Sequence, residues 1–479
     1  MKKILFILLA SSMVLFAACN KDDVKKAPVV TAPAAQSVLI KGAIELTFNF
    51  TAEAGYKSAV VAATNGTAEV TTDAAAGAAS GTITVTFTAA ETAGAGSVTI
   101  TVTGNDSQTG VATAVINVSS VPTISVTENI SANTTWTKDN IYILEGRIAV
   151  LDGATLTINA GTIVKGREGT DVNATALIIT RGGKIMAEGT AAEPIIFTSI
   201  KDNIIPGEIV SPNLEPTDFG LWGGVIVLGK ARSSFKADVS EFRIEGIPIS
   251  DPNGYHGGTN DADNSGVIKY VSIRHGGSLL GEGNEINGLT LGSVGSGTII
   301  ENVEVIGNAD DGIEWFGGAV NVKNVVVWNA DDDAIDTDMS WRGTLDNFVV
   351  INPGDKCFEA DGPEGTLRID GLNYTIKNGI VAAGDAAGLV DNDANTNVNM
   401  NNMYFYDVKS GQTFDLIPTD YTSTFANFEV TLPAGGVLTD YFLDGTDAYT
   451  TAVAAGANTV GATLSAFDGW SWARVSGAF

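Results

Sequence analysis

Three consecutive segments in the middle of this chain align with one another at offsets of 22 and 23 residues. They begin at Val303, Val325 and Phe348 and read VEVIGNADDGIEWFGG, VVVWNADDDAIDTDMSWRG and FVVINPGDKCFEADG. Short β-branched runs separated by turns of Gly, Asn and Asp, at a period in the low twenties, are typical of a solenoid of stacked coils. Each strand then pairs in parallel with its equivalent one coil away, at about 4.8 Å, and like side chains form files. The repeat predicts a right-handed parallel β-helix.

The segments before and after the repeat predict the rest of an all-β chain. Residues 38–122 alternate apolar and polar residues in short runs, which indicates a small immunoglobulin-like β-sandwich that serves as a spacer. The β-helix is expected over 123–399, interrupted by a Pro-containing insertion at 201–265 that would drape over one face. Residues 400–479 should form further coils and a cap, with the aromatic end packing over the last coil.

Composition excludes several kinds of function. The formal net charge is −28 at pH 7, which disfavours binding to nucleic acid phosphates and anionic headgroups and suits cations or neutral partners. Two Cys and two His are too few for a thiolate or imidazole zinc site.

The first residues resemble an export signal with a lipid anchor. Residues 1–18 combine two lysines with a short apolar run, as secretory signals do. A pair of alanines directly before Cys19 resembles the bacterial lipobox, which implies cleavage there, a diacylglyceryl group on the sulfur and a tether over 19–37. The NKDD sequence that follows resembles the signal that sends Bacteroidetes lipoproteins to the outer face of the outer membrane. We therefore expect a lipid-anchored protein exposed at the cell surface.

Several segments together resemble one family. They are GATLTINAGTIVKG and GKIMAEGTAAEPIIFTS in the early coils, YVSIRHGG at 270–277, GNEINGLTL at 283–291, DDGIE at 310–314 and GWSWA at 469–473. On these segments, residues 123–479 resemble the Bacteroidetes outer-membrane β-helix lipoproteins of the pectin-lyase-like superfamily. The resemblance implies the architecture, and the setting of that family suggests a TonB-dependent transporter as partner. It implies no demonstrated activity.

Stacked coils should place the acidic residues of the repeat in files along the helix. Asp310, Asp332 and Asp355 form one file, Asp311 and Asp333 a second, and Glu314, Asp336 and Glu359 a third. Carboxylates one strand spacing apart repel by about 1 kcal/mol in water and by roughly three to four kcal/mol in a half-buried site. Ca²⁺ would offset this repulsion, because it takes about six to eight oxygen ligands. The candidate ligands are Asp310, Asp311, Asp332, Asp333, Asp336 and Asp355.

Two alternatives to a bound metal stay open for the acidic files. Backbone N–H groups at the corners can satisfy Asp side chains, and Arg342, Lys356 and Arg368 are candidate basic partners. A catalytic cluster would use Asp310, Asp332 and Lys356. An inverting glycoside hydrolase needs two carboxyl groups about 6.5–9.5 Å apart. A polysaccharide lyase needs a base, and the surrounding carboxylates would raise the pKa of Lys356 and weaken it in that role.

Aromatic residues within the acidic coils suggest a sugar-binding surface. Trp315 and Trp341 lie near predicted corners, and we expect them to point outward and stack on sugar rings. Trp328 aligns with Ile306 and Ile351 and is expected in the core or at its edge.

Three further residues have structural interpretations. His275 is predicted to be a hydrogen-bonded corner residue, and Arg274 is expected to pair with Glu282 or Glu285. Cys357 aligns with Gly312 and Ala334 and is expected to be a buried thiol.

The predictions combine into one leading function and one alternative. The leading function is a cell-surface lipoprotein that presents a rigid β-helix as a non-catalytic binding or scaffold module, with Ca²⁺ in the acidic coils and a polysaccharide as ligand. The alternative is a polysaccharide lyase or glycoside hydrolase acting on an acidic polysaccharide.

Overall fold

The computed structural model describes residues 25–170, 173–248, 250–279, 285–367, 373–417, 419 and 422–479. The chain divides into two compact units, one ending at Val121 and the other spanning Pro122–Phe479. Within the described ranges, no helix is both long enough and apolar enough to cross a membrane.

The first unit is a β-sandwich. Its strands are β1 (Val29–Thr31), β2 (Gln36–Leu39), β3 (Ala43–Thr51), β4 (Tyr56–Thr64), β5 (Gly66–Thr72), β6 (Ser80–Ala89), β7 (Gly94–Gly104) and β8 (Thr109–Ser119). One sheet has the strand order β1-β3-β6-β5 and the other β2-β8-β7-β4, and alternate residues such as Phe48 and Ile100 fill the core between them. The alternation in sequence therefore produces the predicted small sandwich.

The second unit is built from short strands that repeat along the chain. They are β9 (Thr123–Val126), β10 (Thr134–Trp136), β11 (Ile141–Leu144), β12 (Arg147–Val150), β13 (Thr155–Asn159), β14 (Ile163–Gly166), β15 (Ala176–Ile179), β16 (Lys184–Glu188), β17 (Ile195–Ser199), β18 (Val225–Leu228), β19 (Phe242–Arg243), β20 (Tyr255–His256), β21 (Gly266–Gly276), β22 (Leu289–Gly292), β23 (Ile299–Asn308), β24 (Ile313–Phe316), β25 (Val322–Ala330), β26 (Ile335–Asp338), β27 (Thr344–Ile351), β28 (Lys356–Ala360), β29 (Tyr374–Ala382), β30 (Gly388–Asn392), β31 (Val398–Tyr406), β32 (Thr424–Val430) and β33 (Thr450–Ala452).

A few helical turns join these strands. The 3-10 turns are Lys236–Asp238, Pro252–Gly254, Leu438–Asp440, Thr446–Tyr449 and Leu464–Phe467, and a short helix α1 spans Trp472–Val475.

Parallel pairing of these strands makes a β-helix. The long sheet runs β9-β11-β14-β17-β21-β23-β25-β27-β29-β31-β32-β33, and β10, β13 and β16 join it at β21. The second sheet runs β12-β15-β18-β22-β24-β26-β28-β30. Ile306 pairs with Trp328, which pairs with Ile351, as the repeat predicts. The predicted parallel β-helix is confirmed.

An asparagine ladder bends the long strands, and the sequence interpretation missed it. Asn302, Asn324 and Asn347 occupy equivalent positions with φ of 59°, 57° and 64°. Asparagine tolerates this left-handed conformation better than most residues. The Asn347 amide nitrogen donates to Asn324 Oδ1 at 2.8 Å, and that of Asn324 donates to Asn302 Oδ1 at 3.4 Å. Each coil therefore bends at the same point and is bonded to the coil before it.

A charged file on the long sheet alternates in sign from coil to coil. Lys269, Glu301, Lys323, Asp346 and Lys377 are successive register partners. Lys269 Nζ lies 3.0 Å from Glu301, and Lys377 Nζ lies 3.7 Å from Asp346. Alternation turns the repulsion of stacked charges into attraction.

The insertion at 201–265 covers the outer face of the second sheet where that face is apolar. Phe235, Ile244 and Ile247 pack with Ile226 and Leu228 in one buried cluster. Beyond this apolar part, the outer face becomes acidic.

The C-terminal strap, residues 453–479, lies beside the central coils, and the prediction that its aromatic end packs over the last coil is wrong. Trp470 contacts Tyr270 edge to face, and Trp472 contacts Trp328 in the same way. The physical reason is that the outer face of the long sheet carries apolar side chains, such as Val326, and the strap buries them from water.

Glu304 fastens the strap to the sheet. This fully buried carboxylate accepts hydrogen bonds from Ser272 Oγ at 2.8 Å, Ser471 Oγ at 2.5 Å and the N–H of Trp472 at 3.1 Å. The equally buried Arg274 lies 4.0 Å from it and over the Trp472 ring. The described partner of Arg274 is therefore Glu304, not Glu285 as predicted, and Glu282 lies outside the described residues.

We predict that Glu304→Ala destabilises the second unit by about 3–5 kcal/mol, because it leaves the Arg274 charge buried and unpaired. Loss of the bonds to Ser471 and Trp472 should also make the strap an early site of limited proteolysis. Chemical denaturation and a proteolysis time course measure both effects.

Glu301→Ala is the matched control. Glu301 lies on the same strand in an exposed pair with Lys269, so its loss should cost less than about 1 kcal/mol. Equal effects of the two substitutions would contradict the role of Glu304.

Candidate metal centre

The outer face of the second sheet carries a file of carboxylates on adjacent coils. Glu314 on β24 pairs with Asp336 on β26, which pairs with Glu359 on β28 and then Asp391 on β30. Glu314 and Asp336 are buried, at 6% and 8% exposure, whereas Glu359 and Asp391 are partly exposed. The long sheet alternates its stacked charges, and this file does not.

A second file runs along the corner before these strands. The N–H of Asp333 donates to Asp311 Oδ1 at 3.0 Å, and the N–H of Lys356 donates to Asp333 Oδ1 at 2.5 Å. Asn287 Oδ1 accepts from the N–H of Asp311 at 3.2 Å in the same way. Backbone amides, one of the predicted alternatives to a metal, therefore satisfy one oxygen each of Asp311 and Asp333.

Carboxylates from the files meet in overlapping groups, which we call the acidic cluster. Within each group, one oxygen per residue lies within 4.8 Å of the others. Ca²⁺–O distances of about 2.3–2.6 Å place two ligands of one ion up to roughly 5 Å apart, so the spacing fits a shared cation. The groups are Asp310, Asp311 and Asp332; Asp311, Glu314 and Asp336; and Asp332, Asp333 and Asp355.

One oxygen of the cluster lacks any partner in the described part of the chain. Asp336 Oδ1 is buried and accepts no hydrogen bond there. An unsatisfied buried carboxylate oxygen is costly, so a proton, a water molecule or a cation is expected beside it.

Burial and mutual repulsion raise the pKa values of these carboxyl groups. Burial, followed by the charges of neighbouring carboxylates, raises the pKa of Asp310 to about 7. Burial and the hydrogen bond with Glu359 raise the pKa of Asp333 to about 9. The pKa values of Asp311, Glu314 and Asp336 are raised well above their ordinary range by burial first and by neighbouring carboxylates second. At neutral pH the cluster therefore holds protons unless a cation replaces them.

The basic side chains predicted to neutralise the cluster offset little of its negative charge. Lys356 Nζ lies 2.8 Å from the half-buried Asp355. Although partial burial lowers the pKa of Lys356, this hydrogen bond and charge outweigh it and raise the pKa, which leaves Lys356 protonated and unsuited to act as a base. Arg342 pairs with Asp261, away from the cluster. Arg368 lies outside the described residues.

The prediction that Trp315 and Trp341 stack on a sugar is wrong. Both rings are buried, at 0% and 2% exposure, and they stack on each other with centroids 4.7 Å apart. Trp315 alternates with Glu314 on β24, so an outward Glu314 places Trp315 inside the coil. Trp328, predicted in the core or at its edge, is half-buried beneath the strap.

Two other interpretations agree with the structure. His275 is a corner residue with φ of 61°, and its Nδ1 lies 2.6 Å from the Asp218 carbonyl oxygen. Cys357 is fully buried, and burial raises its thiol pKa, as expected for an unreactive side chain.

The sequence interpretation missed several acidic residues of this face. Asp338 and Asp361 are half-buried, and burial raises their pKa values to about 8 and about 7. Asp391 extends the file of Glu359. Alternation along β26 places Asp338 on the same face as Asp336, which was a usable signal; the weaker repeat after 373 hid Asp391.

The predicted lipidation site lies outside the described residues. Cys19 belongs to residues 1–24, and nothing structural bears on it.

Comparison with known proteins identifies the fold family. A family model described as a pectate-lyase like beta helix domain matches residues 126–432, more than half of the chain. A solved structure, described as that of the Yersinia enterocolitica family 28 exopolygalacturonase, is similar over 85% of this chain and 86% of its own, at 11% identity and a TM-score of 0.19. No curated protein matches the chain.

We predict that, without divalent cations, the second unit becomes less stable as the pH rises from about 5 to about 9. A carboxyl group whose pKa is raised on folding binds more protons in the native than in the unfolded state, so the free energy of unfolding falls through this window. The loss should exceed about 2 kcal/mol, given native pKa values of about 7 for Asp310, 8 for Asp338 and 9 for Asp333.

Denaturant titrations in a chelator at several pH values measure this slope. A stability that rises with pH across the same window would contradict the raised pKa values.

Proposed function

We propose that this chain, which belongs to the pectate-lyase-like β-helix family, is a non-catalytic binding module that holds Ca²⁺ in its acidic cluster and presents the neighbouring face to a polysaccharide. The observation that carries the proposal is the group Asp311, Glu314 and Asp336. Three buried carboxylates lie within one coordination distance, and Asp336 Oδ1 has no hydrogen-bond partner among the described residues.

The donor set favours calcium over other metals. The cluster offers carboxylate oxygens from adjacent coils. Soft metals prefer thiolates and imidazoles, which the cluster lacks among its described residues. Mg²⁺ demands near-ideal octahedral geometry and retains its water, whereas Ca²⁺ accepts irregular sites with more oxygens.

The cluster also suits more than one ion. Asp311 belongs to two of the three groups, and Asp332 also belongs to two. A carboxylate that bridges two cations holds both in a chain, so occupation of the buried group would orient ligands of the exposed group around Asp332. At the exposed group around Asp332, a bound cation would still have coordination positions open to oxygens of a polysaccharide.

The cellular setting belongs to the same proposal. The lipobox-like residues before Cys19 and the NKDD that follows support lipid anchoring at the outer face of the outer membrane. A TonB-dependent transporter is the partner that the resemblance to Bacteroidetes lipoproteins suggests. A calcium-loaded module at the surface would retain polysaccharide near such a transporter.

One observation favours a second candidate, an inverting glycoside hydrolase. Asp338 and Asp361 are half-buried with raised pKa values, and a carboxyl group that stays protonated at neutral pH is what a general acid requires. Release of reducing ends from pectin or alginate, abolished by Asp338→Asn, would support that candidate over the binding module. A lyase is less favoured because Lys356 stays protonated beside Asp355.

We predict that Ca²⁺ raises the melting temperature of the protein at pH 8 and that Mg²⁺ at the same concentration raises it less. A ligand that binds the native state at about 100 times its Kd stabilises by about 2.7 kcal/mol. Isothermal titration calorimetry on the chelator-treated protein measures the stoichiometry and affinity directly.

Asp336→Asn is the test variant, and Asp440→Asn, an exposed carboxylate on a distant turn, is the matched control. The first should lower calcium affinity at least about tenfold and shrink the thermal shift, because it removes a charged ligand and keeps the shape. The second should change neither. Equal calcium responses in the two variants would remove the cluster from the proposal.

We predict that Cys19→Ala releases the protein from the membrane fraction of cells that express the full chain. A diacylglyceryl group and a further acyl chain hold a protein on a membrane far more firmly than one chain does. Fractionation, with metabolic labelling by a palmitate analogue, measures the anchor. Continued labelling of the variant would contradict the assignment.

A further inference from the structure

A cavity lies where the insertion meets the loop after β28, beside the acidic face. Its volume is about 600 Å³, within the range of small-ligand sites. One wall is the turn at 235–240, and the other includes Thr366 and Leu367. It shares no lining residue with the acidic cluster.

The wall formed by the insertion is strained and held in place. Ala237 and Asp238 have φ of 65° and 51°, and two successive non-glycine residues in this region are unfavourable. Asp238 spans to the other wall, where its carboxylate accepts from the N–H of Thr366 at 2.6 Å and from Thr366 Oγ1 at 2.8 Å. Strain that the surrounding structure maintains is often found at ligand sites. Here the hydrogen bonds between Asp238 and Thr366 hold the strained turn and fix the distance between the two walls.

The floor of the cavity presents an oriented hydroxyl group. Ser233 Oγ lies 2.7 Å from Ser293 Oγ and 3.3 Å from the Phe316 carbonyl oxygen. Ser293 Oγ in turn lies 2.9 Å from Nδ1 of the fully buried His256. Burial lowers the pKa of His256 to about 3, so the ring is neutral and this chain of hydrogen bonds carries no charge. Ser233 can give its proton to either of these two partners, and its oxygen then keeps a lone pair that can accept a hydrogen bond from a ligand.

The rim is apolar, and the charges do not suit an anion. Val239 and Leu367 are 44% and 40% exposed, although both are large apolar side chains. Among the described lining residues Arg232 is the one cation, and Asp261 already binds it at 2.9 Å. Hydrogen bonds from Thr366 lower the pKa of Asp238, so that side chain is ionised.

We propose that this cavity is a subsite for a neutral sugar residue. A sugar ring has apolar C–H faces that fit between Val239 and Leu367, and hydroxyl groups that can donate to Ser233 and Asp238 and accept from Ser240. A phosphate or uronate would meet the Asp238 carboxylate without a cation to balance it. The inference rests on the proposed function only for the ligand class, and calcium binding does not depend on it.

The test measures the binding of neutral oligosaccharides to the full chain by saturation-transfer NMR and calorimetry. The probes are xylohexaose, mannohexaose and cellohexaose, with trigalacturonate as the anionic counterpart. We expect at least one neutral probe to bind at millimolar concentration and to lose about tenfold in affinity in Val239→Asp and in Leu367→Asp. Ser233→Ala should also weaken binding, because it removes one hydrogen-bond acceptor from the cavity.

Val437→Asp is the matched control, because Val437 is another exposed valine of the same unit at 56% exposure. It should bind the neutral probe as the parent does. Failure of all three neutral probes to bind, or equal binding by the Val239 and Val437 variants, would overturn the proposal.

Calcium calorimetry on the same samples separates the two claims. A cavity variant that loses the sugar and keeps its calcium response supports a separate subsite. A parent protein that binds a neutral sugar but gives no calcium response would overturn the calcium module and leave the subsite standing.

Discussion

Parallel stacking in register brings each side chain within one strand spacing of its equivalent on the next coil. For apolar residues such as Val303, Val325 and Phe348 this is favourable, because each file becomes a continuous buried strip. For charges it is favourable only when signs alternate, as they do from Lys269 to Lys377. The file of Glu314, Asp336, Glu359 and Asp391 is the exception, and the same register that builds the fold forces these carboxylates together.

The repulsion among these stacked carboxylates shows in the raised pKa values of the cluster. Burial and mutual repulsion raise the pKa values of Asp311, Glu314 and Asp336, and the nearby Lys356 is engaged by Asp355. Such a site either keeps its protons or binds a cation. Protonated carboxyl groups alone would give the site no evident function. The proposed cation site would account for the burial of these acids, which water would otherwise solvate.

Much of this architecture was predictable from the sequence. The offsets of 22 and 23 residues establish the register, and the register establishes the acidic files, down to Glu314 opposite Asp336. Side-chain direction was harder to predict: Trp315 and Trp341 seemed to lie at corners, yet alternation on β24 places Trp315 inside, and Trp341 in the loop after β26 stacks on it. Contacts between distant parts of the sequence could not be predicted, because no local pattern indicates that Ser471 and Trp472 bind Glu304, more than 160 residues away. The cavity near Ser233 depends on the same kind of contact, between the insertion and the loop after β28.

The proposed calcium site depends most on what occupies the space beside Asp336 Oδ1. A high-resolution crystal structure of the protein grown in calcium, with anomalous data, examines that point directly. We predict an anomalous peak with oxygens of Asp311, Glu314 and Asp336 at about 2.3–2.6 Å from it. Carboxyl groups in direct hydrogen-bonded contact, with no ion between them in saturating calcium, would contradict the account.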